Sequence, residues 1–349
     1  MKVVSVVGAR PQFIKAAAVS RVMRRQHHEI LVHTGQHYDE NMSAVFFTEL
    51  DIPLPDVNLG IGSGGHGAQT GAMLIRIEEV LLREQPDRVV VYGDTNSTMA
   101  GALAAVKCHI PVAHVEAGLR SFNRAMPEEI NRVVTDHVAD LLLCPSQTAV
   151  DNLAAEGVIQ GVHLVGDVMA DVLMLAAEHA PSHSDVLNRL GLTPHGYLLA
   201  TVHRAENTDD PDRLRSILAA FLEIGEPIVF PVHPRTRKRI AELNISLDRP
   251  NLHVVEPVGY LDMVMLEQSA RLIMTDSGGI QKEAYWLRVP CLTLRDETEW
   301  VETVALGWNH LVGANIQSIL EAVASFMPPD EHPVLYGVGQ ATQRIVERM

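Results

Sequence analysis

Three acidic side chains in the first half of the chain stand where a predicted strand ends or a predicted helix begins. Asp94 and Glu116 each follow a short β-branched run, and Glu128 follows Pro127, a residue suited to the first turn of a helix. An alternative for Asp94 is that it caps a helix and has no catalytic role. This alternative is weaker for Glu116, because a carboxylate is costly to bury without a function. Carboxylates at one sheet edge can take up and return protons, so we interpret the three as candidate acids and bases.

Arg132 is a candidate cation for this acidic group. It follows Glu128 by four positions, so both side chains share one face of the predicted helix. The simpler alternative is a surface ion pair, which contributes well under ~1 kcal/mol to stability. In the functional interpretation Arg132 holds Glu128 as a base and also contacts the substrate. This pair alone supports both interpretations equally.

The first strand-to-helix turn is a predicted phosphate site. Gly8 allows a tight turn, and Pro11 suits the start of a helix. Arg10 and Lys15 add two cations beside a helix N-terminus, which itself favours anions. The alternative is ordinary surface charge at a solvated helix start, but the position at the carboxyl end of a strand favours the phosphate site.

A second anion site is predicted in the other half of the chain. Ser277, Gly278 and Gly279 follow a predicted strand, and their amides would open a helix that attracts anions. Glu283, one turn further, could bind a ribose diol. His203 also ends a predicted strand, so we expect it to face a ligand, although most of the 17 histidines are expected to be structural or exposed.

These residues require a scaffold of alternating strands and helices. Short buried runs separated by helical patterns predict a doubly wound parallel α/β sheet, with strands over 3–7, 30–33, 89–92, 112–115 and 141–144. The pattern then restarts, with strands predicted over 198–202, 228–232, 252–255, 272–275 and 291–294. Two Rossmann-like domains are therefore expected, joined near 166–171, with ligands in a cleft at the carboxyl ends of both sheets.

Composition narrows the possible functions. The chain has 349 residues, of which 47% are hydrophobic, enough for two domains with buried cores. A formal net charge of −15 argues against general binding of nucleic acid or anionic membrane. No apolar run reaches the roughly 18 residues that a membrane span needs, so we expect a soluble cytoplasmic protein. The three scattered cysteines are expected to be buried thiols.

Several motifs resemble sites of other protein classes. The run 62–67 matches G-x-G-x-x-G, but no convincing strand precedes it, so we expect a flexible loop over the cleft and no dinucleotide. The D-S-G-G run at 276–279 resembles the nucleophile loop of trypsin-like proteases, which the α/β pattern contradicts. No zinc-protease or deaminase pattern is complete, so neither a metal nor a cofactor is expected.

Taken together, the motifs are similar to those of the non-hydrolysing UDP-N-acetylglucosamine 2-epimerases, including the branch that acts on UDP-2,3-diacetamido-2,3-dideoxyglucuronate. The resemblance covers nearly the whole chain and rests on the motifs G-A-R-P-Q-F-I-K, G-Q-H, Y-G-D-T-N-S-T, H-V-E-A-G-L-R-S, P-E-E-I-N-R, H-R-A-E-N, P-V-H-P and T-D-S-G-G-I-Q-K-E-A. It implies a glycosyltransferase-B arrangement with domains at 1–167 and 168–335 and a C-terminal helix, 336–349, that crosses back onto the first domain. It also implies a homodimer, although the sequence shows no interface.

The resemblance implies roles for the candidate residues. Asp94, Glu116, Glu128 and His203 would be catalytic, and His203 with the 277–279 turn would hold the diphosphate. The remaining residues of the substrate site would be Arg10, Lys15, Arg132 and Glu283. The implied reaction is anti elimination of UDP to a 2-acetamidoglucal, followed by re-addition with a proton delivered to the opposite face.

Differences from the family motifs affect regulation and specificity. The H-R-R-E-N motif, whose second arginine is tied to allosteric activation by a second substrate molecule, has Ala205 here, and a family glutamine is Asp39. We therefore predict no such activation. The run 298–302, T-E-W-V-E, replaces T-E-R-P-E, and His310 stands in place of an arginine, so the sugar remains open between the two substrates.

Three other functions share parts of this pattern. A hydrolysing epimerase would release free N-acetylmannosamine, and a glycosyltransferase of the same fold would need an acceptor. A non-catalytic protein would bind the nucleotide sugar without turnover. The acidic residues argue against the last two, because neither transfer nor binding needs protonation on both faces of a sugar.

Overall fold

The computed structural model describes residues 1–35, 54–62, 64–337 and 339–349, with the side chains of Arg10 and Pro11 also outside the described part. Gln36 and His37 of the G-Q-H motif and Asp39 lie outside the described residues. The chain forms two compact units, unit 1 (1–174 with 334–349) and unit 2 (175–333). No helix in the described part is both long and apolar enough to cross a bilayer.

Unit 1 contains a seven-stranded parallel sheet with the order β3-β2-β1-β4-β5-β6-β7. Its strands are β1 (Lys2–Val7), β2 (His28–His33), β3 (Val57–Asn58), β4 (Arg88–Tyr92), β5 (Val112–Val115), β6 (Leu141–Cys144) and β7 (Val162–Leu164). The described helices that begin within residues 1–174 are α1 (Arg10–Met23), α2 (His66–Glu84), α3 (Asn96–Lys107), α4 (Pro127–Val138), α5 (Gln147–Ala155) and α6 (Val168–His183). The last of these, α6, continues into unit 2. Alternate residues of the central strands enter different apolar clusters, so helices cover both faces of the sheet.

Unit 2 contains a six-stranded parallel sheet with the order β10-β9-β8-β11-β12-β13. Its strands are β8 (Leu198–Thr201), β9 (Ile228–Pro231), β10 (Leu252–Val255), β11 (Leu272–Thr275), β12 (Cys291–Thr293) and β13 (Asn309–Leu311). Its helices are α7 (Val186–Leu190), α8 (Ala205–Thr208), α9 (Pro211–Glu223), α10 (Pro234–Glu242), α11 (Tyr260–Gln268), α12 (Gly278–Trp286), α13 (Val301–Ala305) and α14 (Ile316–Ser325). Asp210 caps α9 as the sequence predicts, because its carboxylate accepts hydrogen bonds from the amides of Asp212 and Arg213.

The last helix, α15 (Ala341–Arg348), packs on α1 of unit 1. Ile345 is fully buried in the cluster that contains Phe13 and Met23 of α1. The carboxylate of Asp171 accepts hydrogen bonds from Ala341 N (3.0 Å), Thr342 N (2.8 Å) and Thr342 Oγ1 (2.6 Å). An aspartate on α6 therefore caps a helix that lies 170 positions away in the sequence.

All ten predicted strands are present, but three others were not predicted. β3, β7 and β13 have only two or three residues and lie at or next to an edge of their sheets. In the run 62–67, Gly62, Gly64 and Gly65 precede α2, the last two residues begin this helix, and Ser63 lies outside the described residues. The two doubly wound sheets confirm the predicted α/β fold class with two Rossmann-like domains.

Candidate active site

The order of strands reverses once in each sheet, and several candidate residues follow the strands on either side of these points, whereas Glu116 follows the next strand, β5. In unit 1 the reversal falls between β1 and β4, which are followed by the turns that begin at Gly8 and Gly93. In unit 2 it falls between β8 and β11, which are followed by His203 and Ser277. Ligands of open α/β sheets bind at such switch points, outside the carboxyl ends of the strands.

Lys15 and Glu116 form an ion pair at the carboxyl edge of the unit 1 sheet. Only 12% of the Lys15 side chain and 17% of the Glu116 side chain are exposed. Burial opposes protonation of the lysine, but Glu116, Asp167 and Asp94 hold the pKa of its ammonium group above the ordinary value. Lys15 therefore keeps its positive charge at neutral pH and holds the Glu116 carboxylate in one place through their ion pair.

The backbone of Glu116 is in the left-handed region, with φ of 74°. This conformation is uncommon for a residue other than glycine and is often found at functional sites. Gly93 faces it from the neighbouring strand end with φ of 62°, and a Cβ at Gly93 would lie 3.3 Å from Glu116 Oε2. The chain thus adopts a costly turn that brings the Glu116 carboxylate against the turn before Asp94.

Asp94 forms an ion pair with Arg132, which extends from α4. Arg132 also contacts Glu129 Oε2 at 3.1 Å, and among the described residues these two acids are its ion-pair partners. The predicted pairing of Arg132 with Glu128 is therefore wrong. Glu128 is exposed, because the helix turns the i,i+3 neighbour Glu129 inward toward Arg132 and leaves the i,i+4 neighbour in solvent.

Glu129 is a site residue that the sequence analysis missed. It is 2% exposed, and its carboxylate accepts hydrogen bonds from Ser121 N, Ser121 Oγ and Phe122 N at 2.9–3.0 Å. Despite burial, these donors and Arg132 hold the pKa of the Glu129 carboxyl below its ordinary value. Two adjacent glutamates before an arginine fit both helical spacings, so the sequence could have offered Glu129 as an equal alternative.

Gln12 joins the phosphate-site turn to the turn that carries Asp94. Its Oε1 accepts hydrogen bonds from Gly8 N (2.8 Å) and Ala9 N (3.0 Å). Its Nε2 donates to Tyr92 O and to Thr98 Oγ1 (2.8 Å). The first turns of α1 and α3 are thereby fixed together, which sets where Lys15 and the backbone of Arg10 lie; the side chain of Arg10 is outside the described residues.

The second switch point is organised by Asp276, a fully buried carboxylate that the sequence analysis missed. It accepts hydrogen bonds from His203 N, Arg204 N and Asn207 Nδ2 at 3.0–3.1 Å, and His203 Nδ1 lies 3.3 Å from Asp276 Oδ1. Burial lowers the pKa of the His203 imidazole; Asp276 opposes this change, whereas Arg204 and His233 reinforce it. A neutral imidazole with 40% of its side chain exposed can donate or accept a ligand hydrogen bond.

The turn 277–279, predicted to bind an anion, lies at the start of α12, and this helix also carries Glu283, predicted to bind the ribose. The Ser277 hydroxyl caps the helix at Ile280 N (3.5 Å), and Gly278 and Gly279 form its first turn. Glu283 is half-buried one turn later. Burial, and next the repulsion of Glu283, raises the pKa of the buried Glu267 carboxyl well above its ordinary value.

The family of the chain follows from its match to known proteins. A family model described as UDP-N-acetylglucosamine 2-epimerase matches residues 21–349. The chain is 55% identical to the "UDP-N-acetylglucosamine 2-epimerase homolog" of Methanococcus maripaludis, with 99% of both chains covered. It is 52% identical to the UDP-2,3-diacetamido-2,3-dideoxy-D-glucuronate 2-epimerase of Pseudomonas aeruginosa, again over 99% of both. The chain belongs to the UDP-N-acetylglucosamine 2-epimerase family.

Solved structures of this epimerase family share the fold. The UDP-GlcNAc 2-epimerase of Methanocaldococcus jannaschii matches with a TM-score of 0.89 and 44% identity over 99% of both chains. A second structure of that enzyme, in complex with UDP-GlcNAc and UDP, matches with a TM-score of 0.83 over 99% of both chains. These matches confirm the family resemblance and the predicted α/β class of glycosyltransferase-B type, and they place the chain among 2-epimerases, which are isomerases.

Proposed function

We propose that this protein inverts C2 of a UDP-linked N-acetylamino sugar without hydrolysing it. The observation that carries the proposal is the strained, lysine-paired Glu116 next to the arginine-paired Asp94 at the switch point of unit 1. Two carboxylates held by separate cations can perform two separate proton transfers. Family membership supports the same reaction.

The chemistry requires the bond between C1 and the phosphate oxygen to break before the C2 proton moves. The C2–H bond has no adjacent carbonyl, so it becomes acidic only when the sugar gains oxocarbenium character. UDP departs with the bonding electron pair, one carboxylate removes the C2 proton, and a 2-acetamidoglucal forms. UDP then adds back at C1 while a proton reaches C2 from the opposite face. Asp94 and Glu116 are our candidates for these two transfers, with their assignment to each face left open.

Other residues would stabilise the departing diphosphate. We assign this role to His203 and to the amides of Ser277, Gly278 and Gly279, with Glu283 on the ribose hydroxyls. Charge stabilisation of this type is usually the largest contribution to catalysis. Arg10 and Lys15 complete the substrate site in unit 1. Glu128 is retained only as a secondary catalytic candidate, because Arg132 pairs with Glu129 in its place.

The sugar is one of two candidates. One relative, at 52% identity, is named for the 2,3-diacetamido-glucuronate substrate, and another, at 46%, is named a UDP-N-acetylglucosamine 2-epimerase. We propose that the chain acts on one of these UDP sugars. A proton NMR time course in D2O with each sugar in parallel would distinguish them, because epimerisation replaces the C2 proton by deuterium as the manno isomer appears.

The outcomes of this experiment separate the alternatives. Release of free N-acetylmannosamine would identify a hydrolysing epimerase. An unchanged C2 signal with both sugars, while UDP still binds, would contradict the proposal and favour a transferase or a binding protein. The Glu116→Gln variant is the matched control, since it should bind UDP without exchange.

We further propose that no second substrate molecule activates the enzyme, because Ala205 occupies the position of the family arginine. The initial rate is expected to depend hyperbolically on substrate concentration. Sigmoidal dependence that becomes hyperbolic when UDP-N-acetylglucosamine is added would contradict this proposal.

We also propose that the protein is a homodimer and that its domains span 1–167 plus 336–349 and 168–335. Light scattering after size-exclusion chromatography would test the dimer, and limited proteolysis would test the domain limits.

A further inference from the structure

A fully buried histidine lies beneath the candidate catalytic turn. His114 is on β5, two residues before Glu116, and is 0% exposed. Its Nδ1 lies 2.7 Å from Asp136 Oδ1, and its Nε2 lies 2.7 Å from the carbonyl oxygen of Gly93. Gly93 is the residue immediately before Asp94, so the imidazole touches the backbone that carries one candidate and lies on the strand that carries the other.

The partners of the ring determine how many protons it carries. A carbonyl oxygen can only accept, so Nε2 must be a donor. Asp136 is held as an anion, because its Oδ2 accepts hydrogen bonds from Arg120 Nη1 (2.7 Å) and Gly118 N (3.1 Å). Nδ1 must then donate to Asp136 Oδ1, and a ring that donates from both nitrogens is an imidazolium.

The surrounding charges are consistent with a buried cation. Arg120 is held in turn by both oxygens of Glu156, at 2.6 and 2.9 Å, so charges alternate along the chain of contacts. Burial disfavours the charged ring, but Asp136, then the Gly93 carbonyl and Glu116, raise the pKa of His114 above its ordinary value. The pKa of Asp136 is lowered, because His114 and Arg120 outweigh its burial.

The neighbouring strand adds no competing charge to this network. Burial above all, and then Asp136, raises the pKa of the Cys144 thiol on β6 to about 12, so the thiol stays neutral. Among the described residues, the charged groups that face the ring or its partners are Asp136 on α4, Glu116 at the end of β5, and Arg120 with Glu156 beyond Asp136.

We propose that His114 is a positioning residue, kept as an imidazolium by Asp136, that fixes the Gly93 carbonyl and thereby the distance between the Asp94 and Glu116 carboxylates. The inference rests on the proposed function, because it assigns those carboxylates to the proton transfers. The ring connects β4, β5 and α4, the elements that carry Asp94, Glu116 and Arg132.

A direct test measures the protonation of the ring and does not depend on activity. Nitrogen NMR of the protein with 15N-labelled histidine at pH 8 should show one imidazole with protons on both nitrogens, in contrast to exposed histidines, which are neutral at that pH. The signal should vanish in His114→Gln and remain in His28→Gln, which changes an exposed histidine at the start of β2. A neutral tautomer at His114 would overturn the inference.

Kinetics test the positioning role. Asp136→Asn keeps a similar shape but removes the charge that holds the imidazolium, so kcat should fall at least tenfold while KM and the Kd for UDP change less than twofold. The alkaline limb of the kcat profile should also move to lower pH, a shift that a merely structural role would not produce. His28→Gln should match the wild type in all these measurements.

Two results would contradict the proposal. One is a folded Asp136→Asn protein with wild-type kcat and pH profile. The other is equal loss of kcat and UDP binding in His114→Gln, which would indicate general damage to the domain. If the wild-type protein itself fails to epimerise either sugar, the proposed function fails, and the nitrogen NMR still decides the charge of His114.

Discussion

The Glu116 side chain combines a left-handed backbone, an ion pair with Lys15 and a place at the end of β5, one strand beyond the switch point of its sheet. A surface glutamate would gain little from such a conformation, and the backbone cost of about 1–2 kcal/mol must be offset by the surrounding fold. The combination indicates a group that is held in one orientation for chemistry, with its cation in place before the substrate binds.

We predict that Glu116→Gln lowers kcat by about 10²–10⁴-fold, because an amide cannot exchange the C2 proton. The Kd for UDP should change little, since no proposed diphosphate ligand is removed. Turnover and calorimetric binding of UDP measure the two effects. Glu223→Gln, at an exposed position on α9, is the control and should be indistinguishable from wild type.

We also predict that Gly93→Ala impairs catalysis more than it impairs UDP binding. Gly93 has φ of 62°, which costs a residue with a Cβ about 1–2 kcal/mol, and the new methyl would lie 3.3 Å from Glu116 Oε2. The carboxylate must shift to make room. Gly225→Ala is a control at a position with open space around it. Equal kcat in Gly93→Ala and wild type would show that the Glu116 carboxylate need not stay in its present place.

The sequence identified part of this site and not its partners. Asp94 and Glu116 could be chosen because each follows a buried strand. The acidic partner of Arg132 could not be predicted, because Glu128 and Glu129 both fit the helical spacing. Only the orientation of α4 about its axis decides which of them faces Arg132. Asp136 and Asp276 were missed for a related reason: each supports other residues through contacts that join separate elements.

At the scale of elements, α15 contributes to the site through α1. Ile345 is fully buried against the helix that carries Lys15, and Asp171 caps the first turn of α15 with three hydrogen bonds. A helix of eight residues is too short to be stable alone, so its packing and its cap hold it in place. Changes on its buried face should therefore affect unit 1 as a whole.

We predict that Ile345→Ala lowers the free energy of unfolding by about 2–5 kcal/mol, because it leaves a cavity in a closely packed cluster. Gln343→Ala, on the exposed face of the same helix, should change it by at most about 0.5 kcal/mol. Urea denaturation followed by circular dichroism measures both values. Similar stability of the two variants would show that the helix packs loosely on α1.

The central strands were predictable and the outer ones were not. Central strands are buried on both faces and appear in the sequence as continuous β-branched runs. β3 and β7 contain only half-buried and exposed residues, and β13 has a single buried residue, the polar Asn309, so their sequences do not differ from those of loops. Only pairing with an existing neighbour makes these segments strands.

At the scale of the whole molecule, two buried histidines make the free energy of unfolding depend on pH in opposite directions. Burial lowers the pKa of His33, at the end of β2, to about 4, whereas that of His114 is raised. The unfolded chain binds a proton at His33 below about pH 6.5 and the folded chain does not until about pH 4. His33 therefore lowers the free energy of unfolding as the pH falls from about 6.5 to about 4. His114 stabilises the fold at lower pH, and this contribution is lost as the pH rises through the pKa that His114 has in the folded protein.

We predict that the free energy of unfolding decreases from pH 6.5 to pH 4 with a contribution from His33 of up to about 1.4 kcal/mol per pH unit. His33→Gln should flatten the slope in this window relative to wild type. Urea titrations at several pH values measure it, and His28→Gln should keep the wild-type slope. An unchanged slope in His33→Gln would mean that the buried imidazole accepts a proton in the folded state.

The division of the chain into units has a consequence for synthesis. Unit 1 begins at Met1 but ends with α15, and the residues of unit 2 lie between its two parts. On a ribosome adding about 5–20 residues per second, the first 174 residues wait roughly 9–35 s for their last helix. During that interval unit 2 is made, and the part of α1 that packs on α15 lacks that helix, although the strands of unit 1 already cover the rest of its apolar face. All residues of unit 2 are therefore made before unit 1 receives its last helix, and we expect unit 2 to complete its fold first.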